Sequence, residues 1–477
     1  LVIFGDEKEH YQRELAVFLE RFPDYPSTGA LDQLRARDFA RLDRQGHVYL
    51  DYTGAGLYAD SQVRRHAALL LSEVLGNPHS SNPTSSRATE RLEGCRRRVL
   101  HHFGASADEY VVIFTANASH ALKLVGESYP FAPGGLFLLT FDNHNSVNGI
   151  REFPRARGVA TTYVPVLPPE LRASEAALVG HLESAHRGEH NLFAYPAQSN
   201  FSGVQHPLEW VALAQGHGFD VLLDAAAFVP TNRLDLATIH PDFVTLSFYK
   251  MFGYPTGVGA LLARRPALGK LHRPWFAGGT ITVASIQADR YYLAAGPAAF
   301  EDGTPDFAGL PAVEIGLDLV ESIGIDVIHR RVRCLTAWLL ERLGELRHGN
   351  GQPLVVVYGP LDTTARGATV TFNLRDRDGV TIDHRFVEQR ANQARISIRT
   401  GCFCNPGAGE LALGLTRGEL ESCLAGEETR MTQDDFRSCI DGKSTGAVRA
   451  SLGLASGFAD VFAFVTFLES FVEASGL

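Results

Sequence analysis

Cysteine is scarce in this chain: there are six in 477 residues, and only Cys402 and Cys404 are closely spaced. That excludes the disulfide framework of a small secreted protein and makes a reducing cytoplasm the expected compartment. Long apolar runs are missing too. No stretch reaches the roughly 20 residues that span a bilayer, and the start, Leu1 to Glu7, lacks the charged n-region and long apolar h-region of a signal peptide. It also lacks an initiator Met, which leaves a short native leader open. Basic residues are outnumbered, 44 against 54 acidic ones for a net charge of −10. No basic stripe with interleaved aromatics could track a phosphate backbone, so neither nucleic acid nor membrane is an expected partner. Arg96-Arg97-Arg98 is a short basic cluster in a helical pattern, and it reads as a solvated face. Internal repeats and low-complexity linkers are also absent.

What remains is ordinary for a soluble globular chain, 45% hydrophobic and 21% charged, and long enough to bury a large core in two tightly joined lobes. From about residue 46, short apolar runs alternate with helical patterns, as in an α/β sheet. The runs are Val48–Asp51, Tyr110–Phe114, Gly135–Leu139, Thr162–Val164, Leu192–Tyr195, Phe219–Leu223, Asp242–Leu246 and Gly259–Leu262. Near Gly303 the pattern changes to a long helical stretch, Leu310 to Leu343, broken near Gly324. Strands are then expected at Leu354–Tyr358, Ala368–Phe372, Ala394–Ile398 and Val448–Ser451, followed by an apolar helix from about Phe458 to Val472. The expected division is a large α/β domain over 46–308 and a smaller α+β domain formed by 1–45 and 309–477, which carries a mobile cysteine loop at about 399–409.

Two residues at strand ends carry the chemistry. Asp224 closes Phe219-Asp220-Val221-Leu222-Leu223, and Lys250 follows Asp242–Leu246 within Ser247-Phe248-Tyr249-Lys250. A lysine that can hold an aldehyde as a Schiff base, with an acid that keeps a pyridine nitrogen protonated, is what pyridoxal 5'-phosphate (PLP) requires. Alone, each is as easily a loop lysine or a turn-forming acid; together at the carboxyl ends of α/β strands they point to a cofactor site. Phe114 to His120 joins a strand to a helical pattern through small residues, which suits a phosphate cup with the Ser119 hydroxyl, or else a simple helix cap. His144, after the next strand, is placed to stack on a planar cofactor or move a proton; the bland reading is a surface loop histidine. Asn200 is placed to donate to the cofactor's phenolate oxygen, or only to form a turn. Cys402 and Cys404 lie in the Gly- and Pro-rich segment Arg399 to Gly409, where an exposed thiol can enter a site, react and leave. Cys423 and Cys439 form no zinc-ligand array. Cys334 reads as a structural thiol on an apolar face.

Leu223 to Val229, Ser247 to Gly259, Phe276 to Thr280, Arg399 to Ala408 and Gly442 to Arg449 closely resemble the class V aminotransferase, cysteine desulfurase-like family. Within it they are similar to the N-terminal PLP domain of the molybdenum cofactor sulfurases. The likeness runs from about Tyr49 to the last helix. It implies fold type I of PLP-dependent transferases, with a mostly parallel seven-stranded sheet and a homodimer. It further implies that Lys250 forms the Schiff base, Asp224 pairs with the pyridine nitrogen, His144 stacks on the ring and Asn200 meets the phenolate oxygen. Ala118, Ser119, Ser247 and Tyr249 would hold the phosphate, with Thr280 reaching across from a second subunit. Arg449 matches the arginine that binds the substrate carboxylate, its alternative being an interlobe salt bridge, and Cys404 matches the cysteine that receives sulfur. Ala227 and Tyr249 stand where desulfurases commonly have Gln and His, and Gly409 where sulfurases have a further Cys. The sequence to Leu477 shows no counterpart of the eukaryotic sulfurases' C-terminal domain, which binds the molybdenum cofactor, so the sulfur acceptor stays open.

The expected activity is transfer of sulfur from L-cysteine to Cys404 as a persulfide, releasing alanine, without a metal. Two alternatives stand beside it. One is a PLP-dependent C–S lyase acting on a cysteine conjugate, which needs Lys250 and Asp224 but not Cys404; the other is a PLP-binding dimer without turnover.

Overall fold

The computed structural model of the chain describes residues 6–186, 188, 190–425, 430–440 and 444–472. Leu1 to Gly5, Gly442 and Lys443, which entered the sequence reading, lie outside them. A seven-stranded sheet consists of β1 (Tyr110–Thr115), β2 (Leu136–Thr140), β3 (Ala160–Val164), β4 (Asn191–Pro196), β5 (Phe219–Asp224), β6 (Phe243–Ser247) and β7 (Gly259–Arg264). Their order is β1-β7-β6-β5-β4-β2-β3. β7 is antiparallel to both neighbours and the other pairings are parallel, so β1 to β6 end on one edge.

Strands β1, β4, β5 and β6 are buried at every position, which is why they read as continuous apolar runs. Alternate side chains feed two cores on opposite faces: Val112 and Phe114 enter one, Val111 and Ile113 the other. The helices that matter for the site are α1 (Ala118–Ser128) after β1, α2 (Phe248–Phe252) after β6, α3 (Leu310–Ile323), α4 (Ile325–Glu345), α5 (Pro406–Ala412) and α6 (Phe458–Glu469). Gly324, at φ 90°, separates α3 from α4.

A second, antiparallel sheet holds β8 (Val355–Tyr358), β9 (Thr369–Leu374), β10 (Arg399–Gly401) and β11 (Ala447–Ser451) in the order β8-β9-β11-β10. The helix Asp6–Arg21 packs beside it, with the Phe18 ring against Trp338 of α4 and Phe458 of α6. No described helix is long and apolar enough to cross a membrane. Among the described residues no group of three or more His, Cys, Asp or Glu is arranged to hold a metal ion.

Three readings need correction. Val48–Asp51 does not join the seven-stranded sheet: Val48–Tyr49 pairs in parallel with Ile396–Ser397, and Asp51 bridges to Ser451. Periodicity marks a strand but says nothing of its partner. Ala394–Ile398 is not one strand, because Arg395 takes a positive φ and the chain resumes as Ile396–Ser397 and then β10. Arg96 is not on a solvated face; it is buried, and its guanidinium grips both oxygens of Glu301 at 2.7 and 2.6 Å. Cys423 and Cys439 form a disulfide, a pairing that their spacing did not announce. Cys334 is buried, as an apolar-face thiol should be.

Candidate active site

The carboxyl edge of the large sheet opens into a cavity of about 310 Å³. Eight of the expected site residues line it: Ala118, Ser119, His144, Asn200, Asp224, Ser247, Tyr249 and Lys250. They arrive from five strand ends: Ala118 and Ser119 after β1, His144 after β2, Asn200 after β4, Asp224 at the end of β5, and Ser247, Tyr249 and Lys250 at the end of β6 and just beyond it. Lys250 is carried by α2, whose last turn closes on Gly253 at φ 76°; a side chain there would collide with the Leu57–Tyr58 backbone, so the segment that backs the lysine demands glycine.

Among the described residues Lys250 Nζ has no hydrogen-bond partner. Burial lowers its pKa; Asp224 opposes that, and Arg449 and Arg399 add to it. Asp224 uses Oδ1 to accept from the Ala226 amide at 3.0 Å, which leaves Oδ2 uncommitted. His144 caps a short helix by accepting the Ser146 N–H on Nδ1 at 3.1 Å. That bond puts the proton of the neutral ring on Nε2. Burial lowers the His144 pKa against the pull of Asp224, so the neutral ring is favoured. The cup expected after β1 is present and is also a cap: Asn117 accepts from His120 N–H at 2.9 Å, while Ser247 Oγ accepts from Ala118 N–H at 2.9 Å and Ser119 Oγ meets Ser146 Oγ at 2.6 Å.

The remaining expected residues sit elsewhere. Arg449, on β11, is buried behind Asn200: Nη1 donates to the Asn200 carbonyl and Nη2 to Asp51 Oδ1, both at 3.0 Å. Its guanidinium lies 4.7 Å from the Phe403 ring centroid, and burial lowers its pKa to about 10. The salt-bridge alternative thus has a footing in the geometry, while Arg449 does not line the cavity. Cys404 is exposed and Cys402 partly buried. The segment expected to be mobile is held here, with Asn145 N–H donating to the Cys404 carbonyl at 2.7 Å. Thr280 does not line the cavity; its hydroxyl closes a turn on Ala277. It leads into a hairpin, Ile281–Ser285 and Arg290–Leu293, whose Val283, Ile286 and Tyr292 are 58, 92 and 61% exposed.

Asp51 and Arg399 were missed. Asp51 receives Arg399 through Nε at 3.0 Å and Nη2 at 2.6 Å as well as Arg449, so one carboxylate holds two arginines beside the lysine. Nothing local marks it, since its partners are 348 and 398 residues away. Gln198, Thr256 and Gly257 also line the cavity without having been singled out.

Sheet order, strand-end lysine and strand-end acid together define the class: this is the fold type I of PLP-dependent transferases. A solved cysteine desulfurase from Thermococcus onnurineus NA1 matches with a TM-score of 0.75 at 23% identity, covering 93% of this chain and 98% of its own. A cystine C–S lyase solved with cysteine persulfide matches at 0.67 and 18% identity, covering 89% and 98%. The chain belongs to the class-V aminotransferase family, whose profile matches residues 48–464. It is 38% identical over 495 residues to the molybdenum cofactor sulfurase of Solanum lycopersicum, an overlap of 96% of this chain and 60% of that protein. The chain thus spans about three-fifths of that relative's length.

Proposed function

We propose that this chain is a PLP-dependent sulfurtransferase of the cysteine desulfurase kind, similar to the corresponding part of molybdenum cofactor sulfurases. It would take sulfur from L-cysteine onto Cys404 and release alanine. The observation that carries the reading is a set of uncommitted groups converging on one cavity: a lysine amine without a hydrogen bond and an acid with one free oxygen, with an exposed thiol whose turn is bolted to the same wall.

The residues present fit the cofactor. Ala118, Ala226 and Ala227 leave the cavity wall flat and unobstructed, as a planar ring needs. The start of α1, with the hydroxyls of Ser119, Ser247 and Tyr249, offers donors to a phosphate. Asp224 Oδ2 is free to hold a pyridine N–H, neutral His144 is available to stack, and Asn200 Nδ2 has a second hydrogen for a ring oxygen. Bound PLP supplies the electron sink that makes the cysteine Cα proton labile. Lys250 Nζ, once free, takes that proton, and its lowered pKa enlarges the share of neutral amine able to do so. Arg449 holds the substrate carboxylate. Cys404 Sγ, as thiolate, would attack the substrate sulfur: an S–S bond forms, the Cβ–S bond breaks with its electron pair left on carbon, Cβ is protonated, and Lys250 returns the proton to Cα to give alanine.

The exposed apolar hairpin after Thr280 supports a homodimer built on it, with Thr280 delivered toward the partner's phosphate site. The low cysteine count supports a cytoplasmic setting, in which Cys423–Cys439 would be an exception. With PLP-loaded protein and L-cysteine, alanine together with one extra sulfur on Cys404 by intact mass is the expected result. Pyruvate and ammonia without persulfide would give the C–S lyase instead, and no product at all would leave a non-catalytic PLP-binding dimer.

A further inference from the structure

Asn405, the residue after the exposed thiol, is fully buried and every polar atom of its side chain is used. Its Nδ2 donates to the Asp142 carbonyl at 2.7 Å and to Asn200 Oδ1 at 2.9 Å. Its Oδ1 accepts from Ala408 N–H at 3.3 Å, capping α5. Asn200 continues the chain, with Nδ2 donating to the Phe403 carbonyl at 2.7 Å. The direction of each bond fixes both amides, because reversing either side chain would set oxygen against oxygen. The two asparagines thus form a closed loop around the turn that presents Cys404.

That turn needs holding. Phe403 and Cys404 both lie in the left-handed region, at φ 55° and 54°, where a Cβ crowds the following carbonyl oxygen. Two successive such residues persist only when their surroundings fix them. The fixing comes from the other half of the molecule: from Asn200 after β4, from Asp142 and Asn145 after β2, and from Phe201, whose ring centroid lies 5.5 Å from that of Phe403.

We propose that Asn405 is a positioning residue that sets where Cys404 points, by locking its turn to Asn200 on the cavity wall. It touches neither substrate nor cofactor. Its amide registers the thiol against the site through Asn200, and the same amide's oxygen starts the helix behind it. The proposal rests on Cys404 as the sulfur-receiving group.

The experiment compares wild type with Asn405→Asp and Asn405→Ser in the PLP-loaded protein. Both replacements keep an oxygen to cap α5, and neither can donate an amide hydrogen to Asn200. Expected are an unchanged visible cofactor band, a rate of Cys404 alkylation by iodoacetamide altered about fivefold or more, and persulfide formation slowed about tenfold at saturating cysteine with the half-saturating concentration unchanged. Alkylation and persulfide rates equal to wild type in both variants would overturn the proposal. So would a lost cofactor band with unaltered alkylation, since Asn405 would then act on the cofactor site. A wild type that makes no persulfide, alongside altered alkylation in the variants, would overturn the proposed function and support the positioning role.

Discussion

The two halves of the site are built on opposite terms. On the large sheet, Lys250 and Asp224 are delivered by strand ends and left with uncommitted atoms: the amine has no partner and the acid keeps one oxygen free. On the small sheet, Arg449 is committed to Asp51 and to the Asn200 carbonyl, and the Cys404 turn is pinned on both sides. On the proposed reading, the groups that would bond to the cofactor are kept open by burial in a cavity. Groups that must arrive from another part of the fold are held by hydrogen bonds across the gap. Removing an open group should therefore cost chemistry with little effect on fold, and removing a committed one should cost placement or stability as well.

The sharpest way to break this contrast is Lys250→Ala. No other described amine lines the cavity, so the covalent cofactor band should vanish and alanine release fall about a thousandfold or more. The melting temperature of the cofactor-free protein should not drop, because among the described residues the buried amine has no hydrogen-bond partner to strand and burial already disfavours its charge. An unchanged band in the mutant would remove the large-sheet half of the site altogether.

Cys404→Ser should leave the cofactor band in place and abolish persulfide, since a hydroxyl is a poor nucleophile toward sulfur. Cys402→Ser should be milder. If Cys402→Ser is the dead variant, the two thiols have been assigned the wrong way round; if both variants release alanine or pyruvate at the wild-type rate, the lyase reading takes over.

Arg449→Ala tests what being committed means. If the guanidinium binds the substrate carboxylate, cysteine affinity should weaken by about 2 to 4 kcal/mol, read from titration of the cofactor band. Because Asp51 then loses one of its two arginines, the melting temperature should fall as well. A fall in melting temperature with unchanged cysteine affinity would assign Arg449 to structure alone.

Legibility in the sequence follows the same division. The order of elements, the acid and the lysine could be read because each depends on a local pattern: an apolar run, then a polar residue at its end. Cys404 stood out through its Gly- and Pro-rich surroundings. Asp51 could not be found that way, because its meaning comes from Arg399 and Arg449, and neither could the partner of Val48–Tyr49. The Cys423–Cys439 pairing was hidden for a related reason: two helices, Arg417–Cys423 and Gln433–Cys439, bring the thiols together, and a spacing of 16 residues carries no signal of that.

The smallest effect should appear in the pH dependence of cofactor uptake, and it separates an open lysine from an ordinary one. Condensation with an aldehyde needs the neutral amine, and burial holds the Lys250 pKa below the usual 10.5, with Arg449 and Arg399 pushing the same way against Asp224. The rate of PLP uptake by the cofactor-free protein should therefore rise with pH and level off at a midpoint below 10.5. The stability sign follows from linkage. The folded state releases the Lys250 proton before the unfolded chain does, so this residue's contribution to stability improves as pH rises from the folded pKa toward 10.5, then stays constant. Stopped-flow uptake and thermal melts across that range measure both. Asp224→Asn removes the group that opposes the shift and should move the uptake midpoint lower still. A midpoint at or above that of a free amine would show that the lysine is solvated, and the contrast between open and committed groups would then fail at its central residue.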